Sequence, residues 1–247
     1  MMSMRSPAES PNETGVPHDA GDRRARRASA WTAAALTGCA AVLLSLVETG
    51  WGPLRSADHS IANSLHRAAL AHSGWTHADR VLTDWVWDPL TMRLLTLAVI
   101  VRLVLRGATR LAAWVAASAL AGLVVQSAVK AAVGRARPHL PHPVDSAANG
   151  SFPSGHAMTA AVTCTLLVWL VALTAPSGRR SWSAVAAALA AVSILGVGFT
   201  RMFLGVHWFS DVLAGWLLGG AVVACCAAVM SPWRAPSRGP RLRGWRA

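Results

Sequence analysis

Apolar residues along the chain gather into six long blocks separated by short polar stretches. The first runs from Ala30 to Val47, and the others lie near 89–106, 111–131, 155–175, 182–199 and 207–230. At about 1.5 Å of rise per residue, some 20 helical residues cross the ~30 Å hydrocarbon layer of a bilayer. The pattern therefore predicts an all-α fold, a six-transmembrane-helix bundle. The block near 89–106 is the most polar because it carries Arg93 and Arg102. Asp88-Pro89 is nonetheless a good helix start, and both arginines lie close enough to the ends to snorkel.

Outside the blocks the chain changes character. Residues 1–29 are rich in Ser, Pro, Gly, Asp and Arg, a composition that buries too little apolar surface to offset the entropy of ordering; they are expected to form a disordered basic N-terminal tail. Residues 231–247 form a basic C-terminal tail, and 30–230 form the six-span unit. Arg23, Arg24, Arg26 and Arg27 stand directly before the first block, and Leu36-Thr37-Gly38-Cys39 resembles a lipoprotein cleavage box. Ala40 to Val47 stays apolar where a polar tether would follow cleavage, which favours a retained span over an export signal.

Composition agrees with this layout. Of the 247 residues, 53% are hydrophobic and 14% charged, against about 25% charged in a soluble domain. The net charge of +12 raises the question of a nucleic-acid partner, but such proteins gather cations on one face or stripe. Here the cations sit at the ends of apolar blocks, so no nucleic acid is expected. Six spans put both termini on one side. That side collects 15 of the 23 cations, from the N-terminal tail, the 102–110 turn, Arg179-Arg180 and the run from Arg234 to Arg246. By the positive-inside rule it is the cytoplasm. Cys39, Cys164, Cys225 and Cys226 lie within apolar blocks without metal-ligand spacing and read as buried, reduced thiols.

Four external cations break the trend: Lys130, Arg135, Arg137 and Arg201. They belong to three polar clusters on one membrane face. Lys130 through Pro138 closes the third block, Pro153-Ser154-Gly155-His156 opens the fourth, and Thr200-Arg201 with His207 and Asp211 straddles the start of the sixth. Lys130, Arg137 and Arg201 supply up to three cations for one anion, the arginines as bidentate forks and the lysine as a point charge. Ser154 can cap the helix behind it or bind a ligand, and Gly155 permits close backbone approach at a helix N-terminus suited to anions. His207 and Asp211, four apart, share a helix face. A carboxylate on one imidazole nitrogen fixes the tautomer and leaves the other as a nucleophile, while His156 can serve as proton donor. The plainer alternative makes the cations snorkelling anchors and the histidines helix caps. Ionisable residues in membrane spans are mostly functional, and their joint occurrence argues for a site.

The three clusters resemble the signature motifs of the type 2 phosphatidic acid phosphatase (PAP2) superfamily, K-x6-R-P, P-S-G-H and S-R-x5-H-x3-D. The first two match in full, and Thr200 replaces the usual Ser in the third while keeping its hydroxyl. The resemblance implies a PAP2/haloperoxidase-like core and a metal-independent hydrolase without cofactor. In it His207 attacks phosphorus, Asp211 orients His207, and His156 protonates the leaving group. Lys130, Arg137, Arg201, Ser154 and Gly155 hold the phosphoryl oxygens. The implied protein is a multi-pass cell-membrane enzyme whose site opens extracellularly. It acts on lipid phosphates or diphosphates such as undecaprenyl diphosphate, phosphatidic acid or phosphatidylglycerol phosphate. A catalytically idle lipid-phosphate binder or a transporter is the alternative, against which the aligned pair His156 and His207 stands.

Arg135 falls outside the motif positions and is read as an interfacial or auxiliary phosphate contact. His59, His66, His72 and His77 are irregularly spaced, so residues 49–88 are expected to be a solvated, partly helical loop rather than a metal site. The tryptophans near block ends fit interfacial aromatic belts, with contact to lipid substrate a second possibility for Trp208.

Overall fold

A computed structural model describes residues 17–174 and 180–230. They form eight α-helices and, among the described residues, no strand: α1 (Pro17–Glu48), α2 (Gly52–Ala71), α3 (Ser73–Val81), α4 (Pro89–Leu105), α5 (Thr109–Val133), α6 (Gly155–Thr174), α7 (Arg180–Phe203) and α8 (Phe209–Met230). A single π-helical turn, Leu82–Val86, joins α3 to α4. All six apolar blocks are helical. Five, α1, α5, α6, α7 and α8, are long and apolar enough to cross a membrane. Helix α4 has 17 residues. It starts as expected, with the Asp88 carboxylate accepting from the amides of Leu90 (2.6 Å) and Thr91 (3.2 Å).

Helices α6 and α8 sit at the centre. α8 packs on α1, α5 and α6, and α6 also meets α4 and α7. Trp114, Val115, Val162, Leu166, Leu170, Val223 and Ala227 form the core where α5, α6 and α8 meet. Lipid tails are as apolar as these side chains, so burial alone cannot draw helices together in a bilayer; close packing and interhelical hydrogen bonds must. Gly215 and Gly219, four apart on α8, provide the packing. A Cβ at Gly215 would lie 2.8 Å from the Ser154 carbonyl oxygen, and one at Gly219 would lie 2.7 Å from the Ala161 Cβ. Polar links add to this: Thr96 of α4 bonds Thr163 of α6 at 3.2 Å, and Arg26 Nε of α1 donates to the Ala228 carbonyl at 3.0 Å. Leu94, Leu97, Leu189, Val192 and Leu195 face outward, as expected of a multi-pass membrane protein.

Three expectations need correction. Residues 17–29 are not disordered: they extend α1 upstream of its apolar run. Extending an existing helix costs far less than nucleating one, and the Ala and Arg of this stretch are good helix formers. Residues 1–16 and the C-terminal arginines lie outside the described residues. Residues 49–88 are not a solvated loop: α2 and α3 bury Asp58, His66, Thr76 and Asp79 against the bundle. Of the cysteines, all free, only Cys164 is fully buried; Cys39 and Cys225 face outward. An apolar block shows that a residue lies in the membrane but not whether it faces lipid or protein.

Candidate active site

The site lies where the end of α5, the start of α6, the end of α7 and the start of α8 come together. Direct bonds join the three clusters. The Ser154 amide donates to the Asp211 carbonyl at 2.9 Å, tying the second cluster to the third. Arg137 Nη1 donates to the Val206 carbonyl at 2.7 Å and lies 3.2 Å from His207 Nε2, tying the first to the third.

His207 is held from both sides. Its Nδ1 faces Asp211 Oδ2 at 3.4 Å, and its Nε2 faces Arg137 Nη1. A guanidinium only donates and an ionised carboxylate only accepts. The ring is therefore protonated at Nδ1 and presents the Nε2 lone pair to the cations. Burial pushes the His207 pKa down to about 4 against the opposing pull of Asp211, with Arg137 and Arg201 adding to the fall. The imidazole is thus neutral near pH 7. Asp211 is fully buried and well supplied with donors: Oδ2 accepts from the Trp208 amide at 2.9 Å and Oδ1 from Arg135 Nη1 at 2.6 Å.

The cations surround this ring. Lys130 Nζ donates to the Gly150 carbonyl at 2.9 Å. Arg137 also donates to the carbonyls of Asn149 and Ala148, each at 3.1 Å, and burial holds its pKa below the usual arginine range. Arg201 is buried; its Nη1 lies 3.9 Å from Asp145 Oδ2 and 3.3 Å from Thr83 Oγ1, and its Nε–H has no hydrogen-bond partner among the described residues. His156, half-buried in the first turn of α6, lies within electrostatic reach of Arg201, His207, Arg137 and Lys130. Ser154 is buried and caps α6, its Oγ accepting from the Ala157 amide at 3.5 Å. Gly155 leaves room for Gln126, whose Nε2 is 2.8 Å from where a Cβ would stand. The structure thus gathers Lys130, Arg137, Ser154, Gly155, His156, Arg201, His207 and Asp211 around one rim.

Other residues complete the rim. Thr200 bonds Thr83 at 3.2 Å and donates to the Val197 carbonyl at 2.9 Å, so its hydroxyl braces α7 against the π-helical turn. Trp208 donates from Nε1 to the Ala136 carbonyl at 3.0 Å and packs edge-on against His59. Helices α2 and α3 clasp the 139–150 loop: His66 Nε2 donates to the Pro141 carbonyl at 2.6 Å and Arg80 to that of Val144. Arg135 does not join the cations around His207 but pairs with Asp58 and Asp211. Asp58 was not a candidate from sequence. The available signal was the spacing of Asp58, Ala62, His66 and Ala69, which marks one buried helical face.

Fold and rim together define an all-helical, multi-pass membrane protein with a cationic site around a carboxylate-held histidine. A family match then places it: residues 110–235 match the PAP2 superfamily, and the chain belongs to that superfamily. It is 39% identical over 69 residues to an undecaprenyl-diphosphatase of Sulfolobus acidocaldarius, covering 28% of each chain. It is 31% identical over 96 residues to phosphatidylglycerophosphatase B of Bacillus subtilis, covering 39% of this chain and 46% of that one. The chain thus aligns with less than half the length of either curated relative. Its fold resembles the crystal structure of a transmembrane PAP2-type phosphatidylglycerolphosphate phosphatase from Bacillus subtilis. The TM-score is 0.64 at 20% identity, covering 86% of this chain and all of that one.

Proposed function

We propose that this protein is an integral membrane lipid phosphatase working through a phosphohistidine. His207 Nε2 attacks phosphorus, and the bond from phosphorus to the leaving oxygen breaks as His156, in its protonated form, gives that oxygen its proton. Neutral His156 then takes a proton from water, whose oxygen attacks the phosphohistidine, frees inorganic phosphate and restores His207. Lys130, Arg137 and Arg201, with the Ser154 hydroxyl and the Gly155 amide, balance charge on the phosphoryl oxygens in the transition state. The observation that carries this reading is the His207 ring, fixed between Asp211 and Arg137 with Nε2 as its unprotonated nitrogen. A lipid-phosphate binder needs the cations but has no use for an imidazole aligned in this way.

The names of the relatives point to two substrates, undecaprenyl diphosphate and phosphatidylglycerol phosphate, and the resemblance of the motifs adds phosphatidic acid to the second class. A cavity of about 110 Å³ between α4, α5 and α6 supports lateral access from the bilayer; Leu97, Ile100, Leu123, Met158 and Val162 line it, with Gln126 connecting it to Gly155. We place six spans in the membrane with α4 as the second, both termini in the cytoplasm and the site at the outer face. Helix α4 at 17 residues spans about 26 Å, and Arg93 and Arg102 near its ends reach the interfaces.

The test is phosphate release from a panel of these lipids by protein in detergent. The parent is expected to release phosphate, and His207→Ala to release none while still binding lipid phosphate. Equal release by both would remove His207 as nucleophile, and binding without release by the parent would leave the transporter or idle binder. A reporter fused after Ala247 should be cytoplasmic and one inserted in the 139–150 loop external; the reverse would move the site to the inner face.

A further inference from the structure

The three signature clusters do not explain a tightly bonded ionic group that extends from α2 to the candidate nucleophile. Asp58 of α2 is buried, with 1% exposure, although its segment has the composition of a solvated loop. Its Oδ2 accepts from Arg135 Nη2 at 2.8 Å and from Ser210 Oγ at 2.6 Å, and its Oδ1 accepts from the Ser210 amide at 3.0 Å. Arg135 Nη1 in turn donates to Asp211 Oδ1 at 2.6 Å and to Ser210 Oγ at 2.7 Å. One guanidinium thus bridges two buried carboxylates, and the second of these faces His207. Its plane also lies over the Trp208 ring, 5.6 Å from the centroid.

Two physical consequences follow. Asp58 acts as an N-terminal cap for α8 supplied by another helix: it places negative charge at the positive end of α8 and satisfies an amide of the first turn, the turn that carries Asp211. Arg135 fixes the direction of the Asp211 carboxylate, because a planar fork held at both ends permits one orientation of each partner. Both links of Arg135, to Asp58 and to Asp211, are short, and Asp58 and Asp211 are both sealed from water, so the arrangement is pre-formed rather than induced.

The geometry points to Asp58, acting through Arg135, as a positioning residue that sets the orientation of Asp211 and thereby of His207. This rests on the reading of His207 as nucleophile. It also assigns Arg135 to the carboxylate side of the histidine rather than to the phosphate. Among the described residues Asp58 forms no hydrogen bond to Lys130, Arg137 or Arg201, so its removal should slow chemistry without weakening phosphate binding.

The test compares parent, Asp58→Asn, Arg135→Gln, the double variant and Arg137→Gln, all purified as full chains in detergent. The readouts are kcat and KM for a short-chain lipid phosphate and the inhibition constant of inorganic phosphate. Asp58→Asn and Arg135→Gln are expected to lower kcat by roughly 10-fold to 100-fold, with KM and the phosphate constant within about twofold of parent, as for interactions realised only in the transition state. The double variant should lose little more than the worse single variant, because both interrupt one chain of contacts. Arg137→Gln, by contrast, should weaken phosphate inhibition. A rise of about tenfold in the phosphate constant of Arg135→Gln would make Arg135 a phosphate ligand and overturn the proposal. An Asp58→Asn enzyme with parental kcat would overturn it as well. If Asp58→Asn does not fold, Ser210→Ala carries the test by deleting one hydroxyl shared by Asp58 and Arg135: lowered kcat at constant KM supports the network, and parental kcat refutes it. A parent that releases no phosphate refutes the enzymatic reading itself, whereas an active parent with unaffected variants refutes only the network.

Discussion

Helix α2 lies in a polar stretch between apolar blocks, and α7 is one of those blocks; the two pack against each other beside the candidate site. Their burial is the reverse of what hydropathy suggests. On α2, the inward residues include Asp58 and His66, while Leu70 is 49% exposed. On α7, Leu189 and Val192 are more than 60% exposed, and burial is reserved for its last turns, with Val197, Thr200, Arg201 and Phe203. A helix facing lipid must be apolar on its outside, so hydrophobicity there reports the solvent rather than the core. The buried polar residues are costly to place and persist where they find partners or serve the site. In this protein the interior of functional interest is marked by charge.

Substitutions can break or sharpen that contrast. The largest effect in this pair of regions should come from the polar end of α7: Arg201→Ala should lower kcat/KM by about 10² to 10³, the usual loss for one preorganised oxyanion donor. A fall of less than threefold in the phosphate-release assay would remove Arg201 from the site. A smaller effect is expected at Thr83, in the segment joining α3 to α4. Thr83→Val deletes a hydroxyl bonded to both Arg201 and Thr200, and the loss of such hydrogen bonds, about 1 kcal/mol, corresponds to a rate change of roughly fivefold to tenfold. The smallest should come from the apolar face of α7, where Leu189→Ala and Val192→Ala should leave the rate and the thermal midpoint in detergent essentially at parental values. A large loss from either would mean that this face is covered by protein rather than lipid.

The sequence was most legible where physics leaves few solutions. The bilayer demands long apolar runs, so five of the six apolar helices were located to within a few residues, while α1 begins 13 residues before Ala30, and Asp88 capped α4 as its position before Pro89 suggested. The candidate site residues could be proposed because His207 and Asp211 are four apart in sequence, although His207 precedes α8 instead of standing on it, and because the cations occupy span ends where they are otherwise unwelcome. The pairing of Asp58 with Arg135 was not legible, since 77 positions separate them and no local periodicity connects the two. Residues 17–29 were misread because composition alone ignores the helix that follows them. Burial of the cysteines was misread because an apolar environment has two sides.

The glycines on α8 carry one last consequence. Because Gly215 and Gly219 let α8 touch α6 main chain to main chain, the first turn of α6, which carries His156, is held directly against the helix that begins two residues after His207. A larger residue at Gly215 would therefore wedge apart the two helices whose first turns frame the histidine pair.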